Sequence, residues 1–369
     1  MGEELLSDAA RCLFVTRKYP PRVGGMETLA VATARALDGP FELTVLSLGR
    51  RQSHLVWWLP FTAARIRAAA RRKSADLVIF GDALTYCALR PALGRAVPHQ
   101  TVMVMGLDLT YAPRWYQQLI RRTLPRAPSV VAISNATARA AIERGADAER
   151  VHVVAPGVLD AAFSPRRTAE SGAALRRRLG VEPDTPVLLT LGRLVPRKGV
   201  RWFISEVMSR LPDDVVYAVA GSGPDDAAIR DAIAAIGPAG RRVRLLGQVD
   251  DGLRDALMTG ADLFVMPNVA VPGDMEGFGL VAVEAAAAGA LVIASALEGV
   301  RDAVVDGETG ELVAPGDAAA FADRITALVH DPAGRSQLAS RYAEAARVTF
   351  SIDRMRTDLV AALNPLASP

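Results

Sequence analysis

The residues best suited to chemistry lie in the second half of the chain. Asp274-Met275-Glu276-Gly277-Phe278-Gly279-Leu280 runs into an alanine-rich stretch that carries Glu284 and closes at Gly289. Glu284 has almost only Ala, Val and Leu as neighbours. A buried carboxylate without a partner costs several kcal/mol, so it should accept hydrogen bonds, and vicinal hydroxyls are a natural donor pair. The amides of Gly277, Phe278, Gly279 and Leu280 fall where a helix should begin, a place that favours a phosphate or a developing negative charge. At a helical rise of ~1.5 Å per residue the two glutamates would stand ~12 Å apart, which suits an extended ligand with an anionic middle. A nucleotide sugar has that layout: ribose, diphosphate, hexose. A helix N-cap followed by an exposed Glu fits less well, because neither carboxylate lies in a polar stretch.

Cations stand ready upstream. Gly192-Arg193-Leu194-Val195-Pro196-Arg197-Lys198-Gly199 follows an apolar run and precedes a helical pattern. It would set Arg193 and Lys198 at the carboxyl edge of a strand, where a guanidinium and an ammonium can share a diphosphate. Gly221-Ser222-Gly223-Pro224 and, near the N-terminus, Gly24-Gly25 are two further places where backbone could approach a ligand closely. Each also fits a plain turn. The first loop is not the three-glycine dinucleotide turn, which argues against a dehydrogenase.

These loops need a scaffold, and the pattern supplies one. Cys12–Thr16, Leu43–Leu48, Asp76–Phe80, Thr101–Met105 and Val130–Ile133 predict buried strands, with helical spacing at Met26, Ala30, Ala34 and Leu37 and over Ala63–Ser74. A second series follows: Val187–Leu191, Val215–Ala220, Val243–Leu246, Leu263–Met266 and Leu291–Ala294. Near-continuous apolar strands alternating with helices predict parallel, doubly wound α/β sheets. Two series separated by Gly157–Gly172, with Pro165, Arg166 and Arg167 within it, predict two Rossmann-like domains and a hinge. Ligands of such sheets bind beyond the carboxyl ends of the strands, so they should collect in a central cleft that the two domains face.

Taken in order, Gly24-Gly25-x-Glu27, Gly192-Arg193-x4-Lys198-Gly199, Gly221-x-Gly223-Pro224, Asp262-Leu263-Phe264-Val265-Met266-Pro267, Glu276-x7-Glu284 and Asp306-Gly307-Glu308-Thr309-Gly310 resemble the retaining glycosyltransferases of the GT-B fold, and more narrowly glycosyltransferase family 4. The resemblance implies an N-terminal acceptor-side domain over 1–165, a nucleotide-sugar domain over 166–349, and a terminal helix over 350–369 that returns to the first domain. It implies that Arg193 and Lys198 neutralise the diphosphate, that Glu284 binds ribose and Glu276 the donor sugar, and that the Gly277–Leu280 amides lie near phosphate and sugar. Gly24, Gly25, Gly192, Gly221 and Gly223 would line the donor. The reaction would be same-face substitution, with a leaving phosphate oxygen helping to deprotonate the acceptor hydroxyl. No Asp-x-Asp occurs, which fits charge stabilisation by side chains and amides rather than by a metal ion; no cofactor is expected. Two departures stand out. Ile352 replaces an aromatic common in the family. Met105-Gly106-Leu107-Asp108 stands where the family shows His-Gly near the 6-hydroxyl of the donor sugar, and none of His54, His99, His152 or His330 replaces that histidine. Either the donor lacks that hydroxyl, or a neighbour or water compensates. Asp108 fits both a place in a donor or acceptor loop and a helix N-cap.

Charge says most about the acceptor. The chain has 369 residues and a formal charge of +3, but residues 1–170 carry 23 Lys and Arg against 14 Asp and Glu, and the remainder 20 against 26. Residues 43–75 contain no acid and seven cations (Arg50, Arg51, Arg65, Arg67, Arg71, Arg72, Lys73), together with Trp57, Trp58, Leu59 and Phe61. Residues 109–142 repeat this with Arg114, Arg121, Arg122, Arg126, Arg139, Tyr111, Trp115 and Tyr116. Basic and aromatic side chains together grip an anionic lipid surface; the same residues equally fit solvated arginine-rich helix faces with aromatics turned to the sheet. The resemblance implies a nucleotide-sugar donor and a hydroxyl acceptor (glycan, lipid or small molecule), and the charge points toward an anionic or lipid-linked one; no nucleic acid is expected, since no recognition motif accompanies the basic residues. Cys12 and Cys87 are too few for a disulfide framework, and the acidic N-terminus lacks the order of a signal peptide, so a cytoplasmic protein, with peripheral contact at the inner membrane face, is expected. Other GT-B enzymes, such as an epimerase or a phosphorylase, and a non-catalytic nucleotide-sugar binder are the alternatives.

Overall fold

The computed structural model describes residues 10–21, 24–49, 54–93, 99–159 and 167–367, with side chains to Leu363. The chain forms two compact units, Met1–Gly157 with Ile352–Pro369, and Val158–Ser351. The expected hinge residues Pro165 and Arg166, and the cations Arg50 and Arg51, lie outside the described residues.

In the first unit, β1 (Arg11–Thr16), β2 (Glu42–Ser47), β3 (Leu77–Phe80), β4 (His99–Val104), β5 (Ser129–Ala132) and β6 (Val151–Val153) form one parallel sheet in the order β2-β1-β3-β4-β5-β6. Its central strands are apolar on both faces because helices cover both: Phe14, which pairs with Val45 and Ile79, is fully buried, as are Val78, Phe80, Val102 and Val104. The helix Gly25–Leu37 buries Leu29, Ala30, Thr33, Ala34 and Leu37 at helical spacing. The terminal helix Ile352–Ala367 packs against it and is held by the Gly157 amide, which donates to Met355 Sδ at 3.1 Å.

The second unit repeats the plan with β7 (Val187–Leu191), β8 (Val216–Ala220), β9 (Val243–Gly247), β10 (Leu263–Met266), β11 (Leu291–Ser295) and β12 (Glu311–Val313), ordered β12-β11-β10-β7-β8-β9. Phe203 anchors its core, 4.8 Å from the Tyr217 ring and 6.2 Å from Phe321. Asp262, just before β10, proves architectural. Its carboxylate binds Arg167 and Arg176 at 2.6 Å, Arg335 at 3.1 Å and the Val187 amide at 2.8 Å.

Two edge strands, β6 and β12, escape the pattern. Each is three residues long and partly exposed, so it shows neither an apolar run nor alternation. The helix expected over Ala63–Ser74 begins earlier, at Leu55, and takes in Trp57, Trp58 and Pro60. Both sheets reverse strand order at one point, between β1 and β3 and between β7 and β10, where open α/β sheets bind ligands.

Candidate active site

At the β7/β10 switch point the chain leaves β7 through Gly192-Arg193 and leaves β10 through Pro267-Asn268. The β7 loop is folded tightly against its neighbours. The Gly192 amide donates to Ala220 O at 3.0 Å and the Leu194 amide to Ser222 O at 3.0 Å. A Cβ on Gly221 would stand 1.8 Å from Gly192 O, and one on Gly223 2.0 Å from Leu194 O. These two glycines, expected to approach a ligand, are therefore required by loop against loop.

The fold brings Lys198 and Glu276 together. Lys198 Nζ lies 2.6 Å from Glu276 Oε2, Arg197 Nε 3.5 Å from the same oxygen, and Asn268 Nδ2 donates to it at 3.2 Å. Arg197 also holds Asp274 at 2.8 Å. Burial alone would push the Glu276 carboxyl up; the Lys198 ammonium, the Arg197 guanidinium and the hydrogen bonds from Lys198 and Asn268 outweigh it and hold the group below its ordinary value. Glu276 is thus an anion paired with a cation. Arg193 differs: it is exposed and makes no ion pair or hydrogen bond with any described residue, which leaves its guanidinium available to an incoming anion.

Glu276 does not lie on the helix. Residues 276–279 form an irregular entry, and the helix runs from Leu280 to Ala288 with Gly279 at its N-cap, φ +109°. The ~12 Å helical span therefore does not describe the separation of the two carboxylates. Phe278 turns inward, buried, and packs edge-on against Phe350 at 5.9 Å, so its phenyl ring belongs to the core rather than to a ligand surface. Glu284 has a partner that the sequence did not reveal: Arg254, from the helix Asp251–Gly260, donates to its Oε2 at 2.5 Å. Burial pushes the Glu284 carboxyl up and the guanidinium opposes the shift.

Glu298 was also missed. It follows β11 and adopts φ +46°, a left-handed backbone that costs a residue with a Cβ roughly 1–2 kcal/mol. Its Oε2 accepts the Glu276 amide at 2.6 Å, and the next amide, Gly299, donates to Glu276 O at 3.1 Å. A Cβ on Gly299 would lie 2.1 Å from Gly277 O, so glycine is obligatory there. Burial raises the Glu298 carboxyl, and the nearby Glu276 charge adds to the rise. No pattern in the sequence signals this clamp, because its two halves are 22 residues apart.

In the first unit, Gly24 caps the helix Gly25–Leu37 without a side-chain bond, and Glu27 in its first turn is buried with Lys18 at 3.3 Å. That helix end already holds an internal anion. Met105 is buried after β4, and Asp108, also buried, accepts the Met105 amide at 2.8 Å and the Ala83 amide at 2.9 Å. Asp108 thus serves as a backbone cap that ties two loops together, while Gly106 makes the turn at φ +103°. Burial pushes the Asp108 carboxyl up to about 6. Cys12 and Cys87 are free and buried, with thiols pushed up to about 12 by burial, which removes them as nucleophiles.

Comparison with known proteins gives the family and the fold. Residues 173–349 match the model of the glycosyl transferases group 1, and residues 1–157 that of the glycosyl transferase 4-like domain. The GDP-mannose-dependent alpha-(1-6)-phosphatidylinositol monomannoside mannosyltransferase of Mycolicibacterium smegmatis is 30% identical over 350 residues, covering 87% of this chain and 89% of the relative. The D-inositol 3-phosphate glycosyltransferase of Xylanimonas cellulosilytica is 37% identical over 55% of this chain, a match that spans about half, 48%, of that relative's length. The structure superimposes on HepE of Anabaena, crystallised with UDP and glucose, with a TM-score of 0.75 at 20% identity, covering 96% of this chain and 100% of that one, and the shared fold is GT-B. With a relative matched along nearly its whole length and both units covered by models, the chain belongs to the group 1 glycosyltransferases with a glycosyl transferase 4-like N-terminal domain.

Proposed function

We propose that the protein transfers a glycosyl group from a nucleoside-diphosphate sugar to an acceptor hydroxyl with retention of anomeric configuration. The observation that carries this is the pairing of Lys198 with Glu276 at the β7/β10 switch point, where the same β7 loop carries Arg193, without a partner among the described residues. Arg193 and Lys198 take the charge that develops on the departing diphosphate, and the amides entering the helix Leu280–Ala288 add to it. As Lys198 turns to phosphate, Glu276 is released to accept hydroxyls of the donor sugar. Glu284 accepts the ribose hydroxyls in place of Arg254. The C1–O bond to the diphosphate breaks, the C1–O bond to the acceptor forms on the same face, and the acceptor proton passes to the leaving phosphate oxygen. Side chains and amides meet the charge here, so chelation of divalent ions should leave turnover unchanged. Transfer or hydrolysis across UDP-, GDP-, ADP- and TDP-sugars, with the product anomer read by NMR, tests the reading. An inverted product, or turnover abolished by EDTA and restored by Mg²⁺, overturns it.

The acceptor in this proposal is an anionic, inositol-phosphate-like or lipid-linked alcohol, met by the first unit at the inner face of a membrane. No helix among the described residues is long and apolar enough to cross one. The first unit instead exposes Trp57 (80%), Phe61, Tyr111 and Trp115 (63%) beside Arg65, Arg67, Arg71, Arg114, Arg121 and Arg122, and Arg65 lies over the Phe61 ring at 5.8 Å. Such aromatics enter a headgroup layer while cations hold its phosphates. Flotation with anionic but not neutral liposomes at low salt supports this contact; absence from the anionic fraction removes it.

A further inference from the structure

Resting on the donor-site reading above, we infer that Glu298 is a positioning residue that sets the backbone of Glu276 for the donor sugar. Three observations converge on it. After β11 the chain turns at once, with the Leu297 amide donating to Ser295 O at 2.7 Å, and Glu298 then takes the left-handed conformation at φ +46°. Among described residues, only Lys73 shares a positive φ without being glycine, and Lys73 sits exposed just beyond a helix end. A strained conformation persists when the surroundings over-determine it, and such residues gather at functional sites.

What the strain secures is a two-point grip. Glu298 Oε2 accepts the Glu276 amide at 2.6 Å, and Gly299 donates to the Glu276 carbonyl at 3.1 Å. Both backbone polar groups of Glu276 are thus held by consecutive residues of one loop, which restrains the two peptide planes that flank its Cα. Its side chain is aimed at Lys198, and the amides that follow it enter the helix at a set angle. A water-exposed acceptor could satisfy one N–H, but it could not fix the plane of the peptide. Glu298 itself need not touch substrate.

Glycine and glutamine variants separate strain from hydrogen bonding. Glu298→Gly relieves the left-handed backbone and removes the acceptor; Glu298→Gln keeps an acceptor oxygen and removes the charge. On whichever donor the wild type turns over, E298G should lose about tenfold or more in kcat with donor KM changed less than about threefold. Its Tm should stay near that of the wild type, and E298Q should recover most of kcat. Hydrogen exchange on the ligand-free protein gives a readout independent of turnover: amides within 274–281 should exchange faster in E298G and return toward wild type in E298Q. Wild-type kcat in E298G, or a glutamine variant no better than glycine, overturns the role of Glu298 while leaving the glycosyltransferase reading intact. Unchanged exchange of 274–281 in E298G also overturns it. A wild type that turns over no nucleotide sugar sinks the donor-site reading instead.

Discussion

The two sheets place charged clusters at equivalent positions, and the clusters do opposite things. Beyond β1 and β3, Arg17 binds Asp82 at 3.1 Å, Asp82 also takes the Thr85 amide and hydroxyl at 2.9 Å, and Asp108 takes two backbone amides. Each of these carboxylate oxygens has a donor, and each acid is buried. Beyond β7 and β10 the same ingredients are left unfinished. Among the described residues Arg193 has no partner and the buried Asn268 Oδ1 accepts no hydrogen bond, while Glu298, reaching in from just after the neighbouring β11, is held in a strained conformation. A saturated cluster locks loops; an unsaturated one stores the capacity to bind. The position in the fold is shared, so saturation rather than location separates scaffold from site.

Removing Lys198 should break this contrast most sharply. Lys198→Ala deletes the cation that meets Glu276 and that, in the proposed reaction, meets the leaving diphosphate. It should lower kcat/KM by about 10²–10³, the usual cost of one preorganised charge-stabilising group. Steady-state kinetics on the preferred donor checks this, and a loss under about fivefold would place the cation outside the reaction. Asp108→Ala is the matching change in the saturated cluster. It orphans the amides of Met105 and Ala83, at ~1–3 kcal/mol each, so urea denaturation should show about 2 kcal/mol or more of lost stability. Turnover per folded molecule should barely change. Collapse of kcat with stability intact would move Asp108 into a binding site.

The contrast also explains what the sequence could and could not reveal. The alternation of apolar strands and helices announced ten of the twelve strands: the eight central ones, because helices bury both their faces, and the edge strands β2 and β9, which still carry apolar runs. Local motifs exposed Lys198, Glu276 and Glu284, since each sits in a loop or helix whose composition is distinctive. Partners were invisible. Arg254 reaches Glu284 from a helix 30 residues away, and Glu298 reaches Glu276 across a strand. The glycines carry a second constraint that the sequence did not show: at Gly221 and Gly223 the absent Cβ makes room for the neighbouring loop. Asp108 looked equally like a cap and a ligand because only tertiary packing brings it the Ala83 amide, 25 residues away.

A smaller effect is expected at Arg193, the open end of the unsaturated cluster. It is exposed, so its pull on a diphosphate is partly screened by solvent and salt. Arg193→Met should raise donor KM about tenfold, near 1.4 kcal/mol, and weaken the thermal shift given by free UDP or GDP. The defect should shrink as salt rises, because salt already weakens the wild-type contact. Equal nucleotide-induced shifts in variant and wild type would leave the guanidinium without a role and narrow the difference between the two clusters.

Acid should separate the clusters by sign. Burial, with the Asp82 charge adding and Arg17 opposing, lifts Asp108 from 3.8 to about 6. Above pH 6 this group is ionised in both folded and unfolded chains, and the cost of burying the charge is fully present. As pH falls through 6 the folded protein takes up a proton that the unfolded chain refuses until near its ordinary value. Stability therefore rises across that window, by about 1–2 kcal/mol between pH 7 and 5. Glu276 works the other way. Its lowered pKa contributes stability above the ordinary carboxylate range, and that contribution is lost only as pH falls through the folded value beneath it. Urea denaturation of wild type and Asp108→Asn at pH 7 and 5 reads the difference: the wild type should gain on the variant as pH drops. Parallel pH profiles would mean that the Met105 and Ala83 amides hold Asp108 ionised throughout, so that saturation extends to its charge as well as its hydrogen bonds.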